Sequence, residues 1–369
     1  MNDKFNTENE DNMEKEKKSK IKKILVNLTI FILLIILTFS LVLKDQDVSQ
    51  IFNVAAKVKK QYILFAVLAM SIYILGEAVN ITRILKELGE KSKLISNIRY
   101  TLIGFFFSAI TPAASGGQPM EIYYMHKDDI SVANSTLALL MQLCSLQIVT
   151  ITVGTISAVI HFEVLKSGLI YLLILGIILN SSALMLLIIA IFSKRLSEGL
   201  IKFVVKLLKF FRIPNVEKKQ EKLEKELESY QTSAKYIKEH KILMLKTVIT
   251  TVVQMIAYYS VPYWIYLAFG LTEYNIFEIL TLQAVLYATV SGIPSPGAVG
   301  VSEGGFLGIF KNVFPETIIS SAMLLTRGAN FYLFIIISAI IVMISTFREK
   351  RIEKKQMQET EVLTEKSEK

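Results

Sequence analysis

The chain has 369 residues, of which 52% are hydrophobic, and its mean hydropathy is +0.48. Those values exclude an ordinary soluble globular protein of this size and indicate an integral membrane protein. The formal net charge of +9 sits in tails and loops, so it matches anionic lipid headgroups on one membrane side rather than a nucleic acid, for which no motif is present.

The N-terminal tail is polar and carries seven Lys before Ile24. Residues 24–43 then run without a charge up to Lys44, which is longer than a signal-peptide core, and predict a retained transmembrane helix. Seven further apolar stretches follow at 62–82, 100–120, 130–160, 167–193, 243–272, 276–302 and 317–347. Between 193 and 241 lies the one substantial polar insert, with thirteen Lys or Arg. Its first part, Gly199–Ile213, places Lys202, Lys206 and Lys209 among Phe203, Leu207 and Phe211 at helical spacing, which predicts a basic helix on the membrane surface. After Pro214, the spacing of Leu223, Leu227, Tyr230, Ala234 and Ile237 predicts a second amphipathic helix.

Basic loops orient the segments. The N-terminal tail, the 83–99 loop, the 193–241 insert and the C-terminal tail are all basic and therefore inside. Three apolar stretches separate each successive pair of the last three anchors, and an odd number of crossings cannot join two inside loops. One stretch in each set must enter and leave on the same side, unless a long segment such as 130–160 crosses twice. The stretch 100–120 holds Pro112, Gly116, Gly117 and Pro119, and 276–302 holds Pro294, Pro296, Gly297 and Gly300. Such residues break helices, and broken backbone at membrane depth survives only inside protein or around a water-filled cavity. Both stretches share one frame, in which a proline precedes a glutamate by nine residues: Pro112 to Glu121 and Pro294 to Glu303. The first then dips from the inside and the second from the outside, giving an inverted-topology repeat with a binding site between its halves.

Ionisable residues inside a membrane are costly and invite a functional reading. Glu121, Glu303 and Arg327 stand out, and Arg327 is suited to a phosphate or to a glutamate partner. Glu77 lies near Arg83 and reads as its surface partner. Gly116, Gly117, Gly297 and Gly300 permit tight turns and offer N–H groups to an anionic headgroup. Gln142, Gln147, Thr150 and Thr152 read as interhelical hydrogen-bond glue before a path lining. Tyr258, Tyr259, Tyr263, Trp264 and Tyr266 read as an interfacial belt. The lone Cys144 reads as a packed small hydrophobe. His126, His161 and His240 lack metal-ligand spacing, and no nucleophile or phosphate-loop motif is present. No catalytic residue, cofactor or metal is expected.

At these residues the chain resembles a known family. The run Phe105-Phe-Phe-Ser-Ala-Ile-Thr-Pro-Ala-Ala-Ser-Gly-Gly-Gln-Pro-Met-Glu121 is similar to the first signature of the lysylphosphatidylglycerol synthase transmembrane region, or flippase-like domain family. Ile293-Pro-Ser-Pro-Gly-Ala-Val-Gly-Val-Ser-Glu-Gly304 is similar to the second, and Arg327 falls where that family tends to carry an arginine. Long members join this region to a cytosolic domain that transfers lysine from charged tRNA to phosphatidylglycerol. The resemblance implies movement of the lipid product between leaflets, and other relatives imply polyprenyl-phosphate lipids. A chain of 369 residues leaves no room for the transferase domain, so independent lysyltransferase activity, with tRNA as partner, is the alternative reading.

The expectations are therefore an all-α integral membrane protein of about six full transmembrane helices plus two re-entrant segments. Residues 1–20 form a disordered tail, 21–192 and 242–347 the two repeat halves, 193–241 the basic helices, and 348–369 a charged tail. The partners expected are anionic membrane lipids and an envelope or lipid-synthesis enzyme, the latter held by a scaffold in a third reading. The location expected is a bacterial cytoplasmic membrane with both termini cytosolic.

Overall fold

The computed structural model describes residues 48–111, 114–161, 169–192, 240–293 and 295–348, with a few isolated positions elsewhere. The expected helix 24–43, the tails, and most of the two helices expected in 199–240 lie outside the described residues, as do Pro112 and Pro294. The described elements are α1 (Val48–Ala56), α2 (Lys60–Glu87), α3 (Leu94–Ile110), α4 (Gly117–Lys127), α5 (Val132–Ile160), α6 (Leu169–Phe192), α7 (Lys241–Ala268), α8 (Ile276–Val290), α9 (Val301–Ile309) and α10 (Glu316–Arg348). A 3₁₀ turn, Pro296–Ala298, precedes α9, and a π-turn, Gly328–Tyr332, interrupts α10. Four of these helices, α2, α5, α7 and α10, are long and apolar enough to cross a membrane.

Polarity is distributed as a membrane requires. On α7 the exposed residues Ile242, Leu245, Ile249, Val253 and Ile256 recur every three or four positions, a lipid-facing stripe. The buried face of the same helix carries Thr247, Thr251 and Gln254. Those groups meet Asn80 of α2, whose Nδ2 donates to Gln142 Oε1 at 2.8 Å, Thr251 Oγ1 at 3.1 Å and the Thr247 carbonyl at 3.2 Å. Gln142 Nε2 in turn donates to Gln254 Oε1 at 3.2 Å. Gln142 is therefore glue between α2, α5 and α7, as its residue type suggests.

The register of α2 against α7 fixes the topology. At one end Arg83 donates to the Lys246 carbonyl and to Thr250 Oγ1, both at 3.0 Å. In the middle Gly76 is so close to Gln254 that a Cβ there would lie 2.9 Å from the Gln254 Cβ. At the far end Phe65 packs on Trp264, and the Lys59 N–H donates to the Ala268 carbonyl at 3.0 Å. The two helices run antiparallel. Each opens a half with the same order, long helix, broken hairpin, long helix, so the two halves are inverted relative to each other.

Both broken segments are helical hairpins that return to the end they came from. Arg99 and Tyr100 near the start of α3 both bond Asp128 just past α4. Beside them Glu90 accepts from the Asn134 amide at 2.7 Å. Asn97 Nδ2 donates to Thr82 Oγ1 at 2.7 Å, which places this mouth at the Arg83 end. In the second half, Tyr274 OH donates to the Asn312 carbonyl at 3.0 Å across the mouth of α8 and α9, and the Tyr274 N–H donates to Tyr266 OH at the other end of α7. The parity argument thus identifies both hairpins and their opposite directions. Their tips meet in the interior, where Val299 packs in one cluster with Ile103, Phe107 and Phe331.

Asn80→Leu removes the hub of the α2–α5–α7 network, and a loss of about 1–2 kcal/mol is expected. The lone Cys144 is buried, so labelling by a thiol-reactive dye during heating in detergent reports the unfolding midpoint directly.

Candidate functional site

Glu303 and Arg327 form a closed ion pair at the tip of the second hairpin. Arg327 Nε donates to Glu303 Oε1 at 2.8 Å, with both side chains buried, Glu303 at 0% exposure. Tyr332 OH donates to the same oxygen at 3.1 Å, and the Gly300 N–H donates to Oε2 at 2.7 Å. Arg327 Nη2 reaches the Gly297 carbonyl at 3.1 Å, and its guanidinium lies 4.0 Å from the centroid of the Phe331 ring. The local conformation follows from the sequence. Gly297 and Gly300 have φ of 59° and 87°, a left-handed backbone that costs a glycine little. A Cβ on Gly297 would also lie 2.3 Å from Phe331 Cζ, so that glycine is required twice over. The π-turn after Arg327 inserts one residue into α10, which brings Phe331 under the guanidinium and Tyr332 to the carboxylate.

Beside the pair is a cavity of about 20 Å³, room for one water molecule. Arg327, Gln283, Thr326 and Asn330 line it, and Gln283 Oε1, Thr326 Oγ1 and Asn330 Oδ1 are buried without a partner among the described residues.

The first hairpin repeats the frame with different chemistry. Glu121 on α4 is 5% exposed and lies over Gly104 of α3, where a Cβ would come within 1.9 Å of its Oε1. Its Oε2 has no hydrogen-bond partner among the described residues. Gly117 crosses α3 as closely, since a Cβ there would meet Ser108 Oγ at 2.0 Å. The Gly116 N–H is used by Thr111 Oγ1 at 2.9 Å and the Gly300 N–H by Glu303, so these two amides serve the fold rather than standing open to a headgroup. Pro119 is exposed in the first turn of α4 and Pro296 begins the 3₁₀ turn, both positions where a proline costs no helical hydrogen bond.

The structure thus gathers Glu303, Arg327, Gly297 and Gly300 into one node and places Glu121, Gly116 and Gly117 in another. A tyrosine cluster adjoins the first of these nodes, and Tyr258 lines the small cavity beside Arg327. Its ring packs 5.2 Å from Tyr73 and 5.3 Å from Tyr287. Two readings of the sequence change here. Tyr259 and Tyr266 are buried at 0% and 1% exposure, so the aromatic run on α7 is not an interfacial belt. The reason is helical phase, which turns 258–259 toward Tyr73 of α2 and Tyr287 of α8, and 266 toward Tyr274 and Phe314, away from the lipid stripe. Nor does Glu77 pair with Arg83, whose guanidinium is committed to Asn80, Lys246 and Thr250 of the polar network. His161, past the end of α5, bonds Thr281 at 2.7 Å, and burial holds its imidazole below the usual range against the opposing effect of Glu278.

The chain is an all-α membrane protein with inverted halves, paired Pro/Gly-broken hairpins and a buried Arg–Glu node. The family model described as "Lysylphosphatidylglycerol synthase TM region" matches residues 24–338, and the chain belongs to that family. No curated protein matches the chain at a significant level. Membership ties the chain to a membrane function concerned with lipids.

Removing one partner of a buried ion pair strands the other. Arg327→Met is expected to cost about 3–5 kcal/mol, and adding Glu303→Gln to it is expected to restore most of that loss. The Cys144-dye melting midpoints of the two single variants and the double variant measure the coupling; a double variant no more stable than Arg327→Met would show that the pair is not coupled.

Proposed function

We propose that the protein is a flippase-like lipid translocase that moves a phosphate-bearing lipid, such as lysyl-phosphatidylglycerol or a polyprenyl-phosphate lipid, between leaflets. The observation that carries this reading is the double position of Tyr332. Its hydroxyl belongs to the Glu303–Arg327 node, while the same residue lines an apolar groove of about 330 Å³. Ala55 of α1, Ile63 and Val67 of α2, and Leu325 and Gly328 of α10 are among its other lining residues. A polar anchor and an apolar trough that share one side chain match the two parts of a lipid.

Arg327 is the one buried cation among the described residues. Glu303 and Gly297 take two of its five N–H donors, which leaves donors for a phosphate. A headgroup that displaces the Glu303 carboxylate from Arg327 would release the tip of the second hairpin from α10 and couple binding to movement. The unpartnered oxygens of Gln283, Thr326 and Asn330 would then bind the water or headgroup hydroxyls that enter with it.

The groove has a clean test. Nothing lies within 4 Å of a Cβ built on Gly328, and its backbone is helical. Gly328→Leu therefore directs an apolar side chain into the groove from an unobstructed Cβ position, and the Cys144 melting midpoint should hold. Transbilayer movement of fluorescent phosphatidylglycerol and of a polyprenyl-phosphate analogue in proteoliposomes should fall at least about tenfold, the effect of about 1.4 kcal/mol. Unchanged movement with a filled groove would refute the acyl-chain assignment.

A further inference from the structure

We propose that Lys57, Lys59 and Lys60 hold the phosphate of a net-anionic phospholipid whose acyl chain occupies the apolar groove, and that this charge cluster selects the lipid. The selection of a transported lipid rests on the translocase reading; the binding site itself does not.

The three lysines stand at one end of the groove. Lys57 follows Ala55 of α1 by two residues, and Ile63 follows Lys60 of α2 by three, so groove-lining residues flank the cluster on both sides. Lys59, Ile63 and Val67 recur every fourth position, which sets them along one face of α2. Backbone bonds fix the connection between the two helices: the Lys57 N–H donates to the Val54 carbonyl at 3.2 Å and the Lys59 N–H to the Ala268 carbonyl at 3.0 Å. All three lysines are exposed.

Their level is that of lipid headgroups. Lys60 and Arg83 stand twenty-three residues apart on α2, which is about 34 Å of helix against about 30 Å of hydrocarbon. One residue therefore marks each membrane surface. Leu64, Phe65 and Leu68, all exposed, begin the apolar surface directly beyond Lys60.

Nothing near the cluster in sequence neutralises it. No Asp or Glu occurs between Asp47 and Glu77. None of the three lysines has an ion-pair partner among the described residues. The first turn of α2 has no acidic residue and no side-chain cap, although cations are unfavourable at that end of a helix. The rule that orients the chain disfavours them here as well, since this end lies opposite the basic 83–99 loop. The other described connections at this end are balanced or acidic: Glu273 stands between α7 and α8, and Lys311 is offset by Glu316.

Uncompensated cations at headgroup level, beside an apolar trough, match an anionic amphiphile. The far end of the trough matches it too. From Leu324 to Leu333 the groove follows α10 for about 13 Å away from the lysines. There Tyr332 lines it, and the Tyr332 hydroxyl bonds Glu303 beside Arg327. The groove thus has exposed cations at one end and a buried cation at the other, so a phosphate can pass between them while its acyl chain stays in the trough. A headgroup that carries a lysyl group's two amines beside its phosphate is net positive, and the lysines repel it. Within the translocase reading, the substrate is a phosphate lipid without such amines rather than lysyl-phosphatidylglycerol.

The test uses the full chain, purified and delipidated in detergent. Native mass spectrometry follows its binding of an equimolar mixture of phosphatidylglycerol, phosphatidylcholine and lysyl-phosphatidylglycerol. The wild-type protein is expected to favour phosphatidylglycerol over each of the others by at least about tenfold. Lys57→Gln, Lys59→Gln and Lys60→Gln together should abolish that preference, while Lys→Arg at the same three positions should keep it. Cys144-dye melting confirms the fold of both. Gly328→Leu should lower phosphatidylglycerol binding with the lysines intact, and unchanged binding there overturns the groove's part. Lysines that only anchor α2 at the membrane surface would leave the preference intact in the glutamine variant, and that result overturns the site. Equal binding of phosphatidylglycerol and lysyl-phosphatidylglycerol by the wild type overturns the charge selection. In proteoliposomes, fluorescent phosphatidylglycerol should cross at least about tenfold faster than fluorescent lysyl-phosphatidylglycerol. The reverse order overturns the substrate class and leaves the translocase reading standing. No crossing of any lipid overturns the translocase reading and the substrate class with it, and the binding site is then decided by the native mass spectra.

Discussion

The carboxylate of Glu303 receives three hydrogen bonds from three places in the chain: the Arg327 side chain, the Tyr332 hydroxyl and the Gly300 amide. Inside a membrane, backbone that leaves the helical state must find its partners within the protein. The second hairpin leaves it between Val290 and Val301, and Glu303 with Arg327 closes that gap. Arg327 reaches back to the Gly297 carbonyl, and Phe331 fills the space that a side chain at Gly297 would need. The left-handed glycines, the π-turn and the ion pair are therefore one construction. A change at any of them is felt at the others, and a ligand that competes for Arg327 loosens all of them.

The two halves share a scaffold but not a chemistry. Each glutamate follows its proline by nine residues. Twenty-four residues beyond Glu303 stands Arg327, while twenty-four beyond Glu121 stands Ser145, whose hydroxyl donates to the Met141 carbonyl of its own helix. One carboxylate is locked by a guanidinium, and the other lies over a glycine with no ion-pair partner among the described residues. The inverted halves are therefore alike in shape and different in charge, with the second hairpin anchored by an ion pair.

Much of this was legible in the sequence, because membrane crossings obey simple counts. Basic loops and helix breakers alone identify two hairpins of opposite direction, and charges in apolar stretches alone single out Glu121, Glu303 and Arg327. What stayed hidden was rotation about helix axes. Glu77 and Arg83 are neighbours in sequence, yet the helix sends Arg83 into α7, where its guanidinium bonds Lys246 and Thr250 and not Glu77. The tyrosines of α7 carry the composition of an interfacial belt, and only the phase of their helix shows that Tyr259 faces the interior. Tyr332 gave no signal, because a π-turn has no residue pattern of its own, and its five-residue spacing from Arg327 fits neither face of a regular helix.

The account turns on whether Arg327 and Glu303 hold a lipid phosphate. Mass spectrometry of the lipids retained by the purified protein, compared with those retained by an Arg327→Ala, Glu303→Gln double variant, addresses that most directly. One phosphate-bearing lipid class enriched on the wild-type protein and lost from the variant is the result the account predicts. No enrichment, or equal enrichment on both proteins, would contradict it.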